Sequence, residues 1–217
     1  DSLFAAAELG SADAMTEIGL IYALGWPDCD IRIDESTAVK WFKQAIDSDD
    51  ERPHALAAKD IAHSYMGYYY LEGEGGLPKN VEKAKREFAL SGSLYSRRLM
   101  ARLLLNSEDA GEQVEGLEQL RELAEAGDSV AMCDVAWCHQ TGRAGLPKNP
   151  YKAYELYKEA SAQSNCCAMA RCGNMEQFGI GVHHANPTNA VDLYRMAAEL
   201  GCPEGCYYLA NPYARGI

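Results

Sequence analysis

The sequence is short of positive charge. Lysine and arginine number 20 against 32 aspartates and glutamates, a formal net charge of -12. That balance excludes a protein that grips a phosphate backbone, which needs a surplus of basic side chains. Long apolar runs are missing as well, and none approaches the ~18 residues a bilayer-spanning helix requires. No basic stretch followed by an apolar run opens the chain. Signatures of enzyme chemistry are equally scarce. Ser-x-x-Lys, Gly-x-Ser-x-Gly, His-Glu-x-x-His and Gly-Lys-Ser/Thr do not occur. The spacings expected of a serine–lysine pair, a nucleophile elbow, a zinc-protease helix and a phosphate loop are therefore absent. No Cys-x-x-Cys is present, so the strongest zinc signature is missing.

What the chain does contain is internal repetition. Gly76-Leu77-Pro78-Lys79-Asn80 is identical to Gly145-Leu146-Pro147-Lys148-Asn149. Aligning the flanks gives Ala14, Ala62, Ala131 and Ala168 in one column, with Gly19, Gly67, Ala136 and Gly173 five residues on. Six further stand Gly25, Gly73, Gly142 and Gly179. After a loop come Ala38, Ala84, Ala153 and Ala190, followed at +4 by Phe42, Phe88, Tyr157 and Tyr194. Ala45, Ser91, Ala160 and Ala197 close each block at +7. A fixed period of this kind is the mark of a repeat architecture.

The columns read as helix pairs. Ala14, Ile18, Ile21 and Tyr22 share one face of a helix, and Ala38, Phe42 and Ala45 share one face of a second. Small residues recur where two helices approach closely, and aromatics fill the space beside them. Gly25, Gly73, Gly142 and Gly179 suit helix ends, where left-handed backbone favours glycine. Asp34, Asn80, Asn149 and Asn186 stand four residues before each second-helix alanine as N-caps, with Pro150 and Pro187 in the first helical position. Each unit is thus a helix A, a glycine-ended loop and a capped helix B.

The intervals between Ala14, Ala62, Ala131, Ala168 and Gly205 are 48, 69, 37 and 37 residues. The 69 hides a degenerate unit whose second helix falls near residues 112–126, with a stripe of Leu117, Leu120 and Leu123. The excess in the 48 lies around the acidic stretch 47–54, read as an inserted loop or longer turn. The expected units are 11–50, 53–92, 93–127, 128–163 and 164–201, with a partial unit at 202–217. Both ends read as cuts through a longer array: Ala7-Glu8-Leu9-Gly10 matches Ala198-Glu199-Leu200-Gly201, the close of a helix B.

Ala-x4-Gly-x2-Tyr-x2-Gly, a short loop and Ala-x2-Trp-Phe, carried by Ala14, Gly19, Tyr22, Gly25, Ala38, Trp41 and Phe42, resemble the Sel-1-like repeat, a relative of the tetratricopeptide repeat. The resemblance covers nearly the whole chain. His139 and Glu176 depart from it at the place of Tyr22, and Glu87 at the place of Trp41. It implies an all-α, right-handed α/α superhelical solenoid whose concave face is lined by the A helices. The register of the related repeats puts groove residues at -6, -3, +1 and +4 from the Gly19 column. From these, Tyr68, Leu71, Trp137, Gln140, Asn174, Gln177, Tyr207 and Asn211 are the candidate partner-binding residues. Tyr and Trp are the types that dominate binding hot spots. Asn174 and Asn211 occupy the place where related repeats use Asn to hold an extended peptide's backbone.

The function this implies is a non-catalytic scaffold or adaptor that binds a protein or extended peptide in the groove, without a cofactor or metal. Two alternatives share the chain: a dedicated inhibitor or immunity-type partner of one effector, and a β-lactamase-like or penicillin-binding hydrolase, which no nucleophile motif supports. Of the eight cysteines, seven fall on or beside helix A segments and Cys29 in a loop. Cys138 and Cys172 are expected in the core as small hydrophobes. The thiols read as reduced, consistent with a cytoplasmic protein. Cys133 with Cys167, and Cys166 with Cys202, stand where neighbouring helices bring them near each other.

Overall fold

The computed structural model describes residues 2–26 and 31–210, and the fold they form is all-α. Cys29 and Asn211 lie outside the described residues. Twelve helices follow one another among the described residues. The first three are α1 (Ser2–Glu8), α2 (Ala12–Leu24) and α3 (Glu35–Asp47). Next come α4 (Pro53–Glu72), α5 (Val81–Leu90), α6 (Leu94–Leu105) and α7 (Ala110–Glu125). The last five are α8 (Ser129–Thr141), α9 (Pro150–Ala162), α10 (Cys166–Phe178), α11 (Pro187–Glu199) and α12 (Pro203–Ala210). Helices α2, α4, α6, α8 and α10 are A helices, and α3, α5, α7, α9 and α11 are their B partners. The chain divides into two compact units, residues 1–100 and 101–217.

In the pair α8/α9, the A helix buries Ala131, Met132, Val135, Ala136, Cys138 and His139, which spread over roughly 160° of its circumference. Its partner buries only the stripe Ala153, Tyr157 and Ala160. The same contrast holds in the first unit between α4 and α5. An A helix is therefore an inner element packed on several sides, and a B helix is an amphipathic cover.

In three pairs a ring is laid on the glycine column, and in α8/α9 that column carries Ala136. A methyl group at Gly19 would stand 2.6 Å from Cε1 of Phe42, at Gly67 2.5 Å from Phe88, and at Gly173 2.7 Å from Tyr194. Phe42, Phe88, Tyr157 and Tyr194 are all essentially inaccessible to solvent. Each such ring contributes roughly 1.5–3 kcal/mol by leaving water. In the degenerate pair α6/α7 the contact is as tight and involves backbone: a methyl at Gly116 would lie 2.5 Å from both the Ala101 carbonyl oxygen and the Leu105 nitrogen.

The A–B loops are built alike. The amide of each N-cap residue donates to the carbonyl eight residues beyond the first alanine column. These bonds run Asp34 to Tyr22 at 2.8 Å, Asn80 to Tyr70 at 2.7 Å, Asn149 to His139 at 2.7 Å and Asn186 to Glu176 at 2.8 Å. The side chains of the same four residues then accept from Thr37, Lys83, Lys152 and Asn189 amides. The two identical pentapeptides reproduce each other's turn: Leu77 N–H to Glu74 is 3.0 Å and Leu146 N–H to Arg143 is 3.1 Å. Gly73, Gly142 and Gly179 end their helices in left-handed backbone.

The stretch 47–54 departs from the sequence expectation. Only residues 48–52 form a connection, and helix α4 already begins at Pro53, nine residues before Ala62. Most of the extra length is thus two added turns of helix, not loop. Pro53 fits the first helical position, and Ala55, Leu56, Ala57, Ala58 and Lys59 are strong helix formers. The short connection is tied down by Asp50, whose carboxylate accepts from the Ala12 amide and the Arg52 guanidinium. The Arg52 hydrogen bond holds the Asp50 carboxyl well below the usual range.

His139 is buried, and neither ring nitrogen has a hydrogen-bond partner among the described residues. Burial, reinforced by Lys152 and Arg121, lowers its pKa from 6.5. A neutral imidazole is therefore favoured in the fold. Its contribution is complete above the unfolded-state value and is lost as pH falls through that value toward the folded one. Acidification from pH 7 to 5 should lower the urea midpoint of the native chain more than that of His139→Leu; equal slopes would remove His139 from the account. Gly116→Ala tests the helix contact. Propensity alone would stabilise the helix by about 1 kcal/mol, whereas the backbone clash should destabilise by roughly 1–3 kcal/mol, so the sign of the shift in denaturant unfolding decides.

Candidate interaction surface

Two clefts open on the A helices, one in each unit. In residues 1–100 a cleft of about 570 Å³ lies between α4 and the start of α6, lined by Ile61, Ser64, Tyr65, Tyr68, Ser93 and Tyr95. The triple tyrosine of α4 divides its duties by helical geometry. Tyr68 faces the cleft at 36% exposure, and Tyr69 is buried at 3%. Tyr70 lies under the Lys83 ammonium, 5.2 Å from the ring centroid. Tyr65 stacks on Phe42 at 5.0 Å, which fixes the cleft's inner wall. Leu71 sits half-buried on the same helix and is not among the cleft residues.

The floor of this cleft is a cluster of hydroxyls. Ser64 Oγ donates to the Asp60 carbonyl and lies 2.8–3.0 Å from the Oγ atoms of Ser91, Ser93 and Ser96. His63, the residue before Ser64, pairs instead with the Glu87 carboxylate at 2.8 Å. The serine thus sits among hydroxyls and a carbonyl, with no base at hydrogen-bond distance among the described residues.

In residues 101–217 a cleft of about 630 Å³ is bordered by α6, α8, α10 and α12, and Val130, Cys133, Trp137, Cys167 and Arg171 are among its lining residues. Trp137 is half-buried, and the Arg143 guanidinium lies 4.9 Å from the centre of its indole. Charges in the cleft are matched: Arg102 faces Asp134 at 3.6 Å and Arg171 faces Glu204 at 2.7 Å. Partly exposed pairs of this kind add at most about 1 kcal/mol to stability, so they set local charge more than they hold the fold.

The other groove residues expected from the sequence fall into distinct environments. Tyr207 is 61% exposed and meets Tyr208 edge-on, while Tyr208 stacks on Tyr194. Asn174 is half-buried on α10. Gln140 and Gln177 have a structural duty the sequence reading missed. Gln140 Oε1 accepts from the Tyr157 hydroxyl at 3.2 Å, and Gln177 Oε1 accepts from the Tyr194 hydroxyl at 2.9 Å. Where helix B carries Phe instead, the matching A-helix residue is apolar, Ala23 for Phe42 and Leu71 for Phe88. The -3 positions also differ from expectation: Thr16, Ser64, Ala101 and Ala170 are buried. Thr16 shows why, since its hydroxyl donates across to the Ala58 carbonyl of the next A helix.

Seven described cysteines carry free thiols. Cys138 and Cys172 are buried in the core. Burial pushes the Cys138 thiol up to about 11 and the Cys172 thiol up to about 12. Cys202 lies 3.8 Å from Cys167 and within 4.8 Å of Cys166, the neighbour the sequence suggests for it.

Four segments, residues 12–50, 60–86, 129–165 and 168–202, match the Sel1 repeat. The chain belongs to the Sel1 repeat family. The matched Sel1 segments contain the Gly19/Phe42 and Gly173/Tyr194 pairs and Gly67, with Phe88 just beyond the second segment, and the degenerate pair α6/α7 falls between matched segments. Sel1 repeats generally mediate protein–protein interaction. A Sel1 repeat protein from Oxalobacter formigenes has the same fold, with a TM-score of 0.73 over 93% of this chain and 76% of that one, at 20% identity. A protective antigen of uropathogenic Escherichia coli strains aligns with a TM-score of 0.65 and 23% identity, over 99% of this chain and 44% of that one. In sequence, 106 residues are 34% identical to the ERAD-associated E3 ubiquitin-protein ligase component HRD3B of Arabidopsis thaliana. That match covers 49% of this chain and 16% of the relative's length.

A double-mutant cycle tests the tyrosine–glutamine pairing. Tyr157→Phe alone should cost about 0.5–1.5 kcal/mol of stability, and Gln140→Leu with it should recover much of that by recreating the Phe88/Leu71 pair. Additive losses in chemical denaturation would show that the two side chains are not coupled.

Proposed function

We propose that this Sel1 repeat chain is a non-catalytic interaction module that holds a protein segment against its A-helix face. The observation that carries the reading is the cleft between α4 and α6, where Tyr68 and Tyr95 stand 36% and 45% exposed beside Ile61. Two amphipathic rings on a rigid helical support supply contact area with little ordering cost, because their backbone is already fixed. An extended or helical segment with apolar side chains suits such a cleft. Trp137 gives the second unit a comparable anchor, with Gln140 and Gln177 behind it as supports of the buried tyrosines. Leu71 in the first unit, and Asn174 and Tyr207 in the second, serve as lesser contacts. The Arabidopsis relative is by its name a component of a ubiquitin ligase, and that supports a role in assembling proteins, not in chemistry on a small substrate.

The B helices serve as the contrast. Helix α5 presents Glu82, Lys83, Arg86 and Glu87, a mixed-charge cover typical of a solvated face. A photo-crosslinking residue placed at 68 or 95 should capture a partner from the native host's extract, while one placed at 82 or 86 should not. Capture of the same proteins from both faces would refute the assignment. Tyr68→Ala with Tyr95→Ala should weaken the captured partner by about 2 kcal/mol or more, with helical circular dichroism unchanged.

A further inference from the structure

Two thiols at the start of α10 and one at the start of α12 meet in the second unit. The sulfurs of Cys166, Cys167 and Cys202 all lie within 4.8 Å of one another, and the Cys167–Cys202 separation is 3.8 Å. We propose that these three cysteines form a zinc(II) site, three thiolates closing on one ion with its fourth position left to water.

The spacing suits the ion. A zinc–thiolate bond of about 2.3 Å in tetrahedral geometry sets neighbouring sulfurs about 3.8 Å apart. The Cys167–Cys202 pair already has that separation, and Cys166 needs to move by no more than about 1 Å, within reach of side-chain rotation. The electrostatics suit it too. Cys166 and Cys167 are the first two residues of a 13-residue helix, whose N-terminal amides favour negative charge. Arg171, one turn beyond Cys167, lines the same cleft. Without a metal the thiols are poor nucleophiles: burial and the neighbouring sulfurs push Cys167 up to about 12. A divalent cation reverses that preference by binding the thiolates directly and releasing their protons. Three thiolates around zinc leave one net negative charge, where a monovalent soft ion would leave two in an already acidic chain.

The site does not repeat. At the matching turn between α9 and α10 the residue corresponding to Cys202 is Asn165, which caps α10 by accepting from the Ala168 amide. The cluster is a property of this one junction, and its consequence is mechanical: a bound ion would join the start of α10 to the turn that precedes α12.

The test uses the full chain, reduced and stripped of metal, titrated with zinc against a chromophoric chelator and separately with cobalt. Binding of one equivalent, a tetrahedral cobalt spectrum with sulfur-to-metal charge transfer, and three thiols protected from an aromatic disulfide reagent are expected. The thermal midpoint should rise with zinc concentration. Cys167→Ser changes a surface residue and should lower zinc affinity by more than the roughly 10–100-fold typical of an outer-shell partner. Cys206→Ser, on α12 but outside the cluster, should leave it unchanged. Absence of a stoichiometric equivalent, equal affinity in Cys167→Ser, or uptake of copper(I) with none of zinc would each overturn the proposal.

Discussion

In three helix pairs an aromatic ring seated on a glycine sets the distance between the helices, and much of the molecule follows from it. Phe42 on Gly19, Phe88 on Gly67 and Tyr194 on Gly173 leave no room for a methyl group. The A helix must then be narrow on that side and apolar on the others, since a second neighbour covers it. The B helix needs only one apolar stripe. The loop between them must bring the chain back at a fixed distance, and the bond from each N-cap amide to the A-helix carbonyl does so at 2.7–2.8 Å in four pairs. Where the ring is missing, in α6/α7, Gly116 replaces it with backbone contact, and the family match lapses.

Polar choices along the repeats obey the same geometry. Tyrosine replaces phenylalanine only where the A helix offers an amide oxygen, as Gln140 does for Tyr157 and Gln177 for Tyr194. Leaving a buried hydroxyl unpaired costs about 1–3 kcal/mol, so the two positions change together. Glu176 is a further instance: its buried carboxylate accepts from the Tyr154 hydroxyl and from the Asn189 amide. His139, at the same place in the preceding pair, has no such support.

The helix pairs, their caps and their glycine ends were legible in the sequence because each rests on local spacing. The covariation of Phe with Ala23 and Leu71, and of Tyr with Gln140 and Gln177, was equally present in the columns. It becomes a contact only once the +4 side chain is known to reach over the ring. The extension of α4 was hidden because an acidic stretch closed by Pro53 is as good a helix start as a loop end. Tyr68 was placed on the open face from its register alone, whereas Thr16, Ser64, Ala101 and Ala170 of the -3 column are buried, Thr16 because it bonds across to the next A helix. The thiol cluster was legible in part: the repeat register brings Cys166 near Cys202, but that Cys167 joins them shows only once the chain is folded, 35 residues separating it from Cys202.

The bonding of the A–B loops bears on how such a chain can change length. The backbone hydrogen bonds between each N-cap and its A helix begin and end within a single helix pair; the Gly75 amide, which donates to Glu35 of the preceding pair, reaches outside. Whole pairs can therefore be copied or removed with each N-cap bond intact, provided that the faces left adjacent are ones that already pack together. Such exchange preserves each hairpin and alters only the number and sequence of surfaces offered to a partner. The two identical pentapeptides, folded alike 69 residues apart, are what repeated copying of one self-contained hairpin would leave behind.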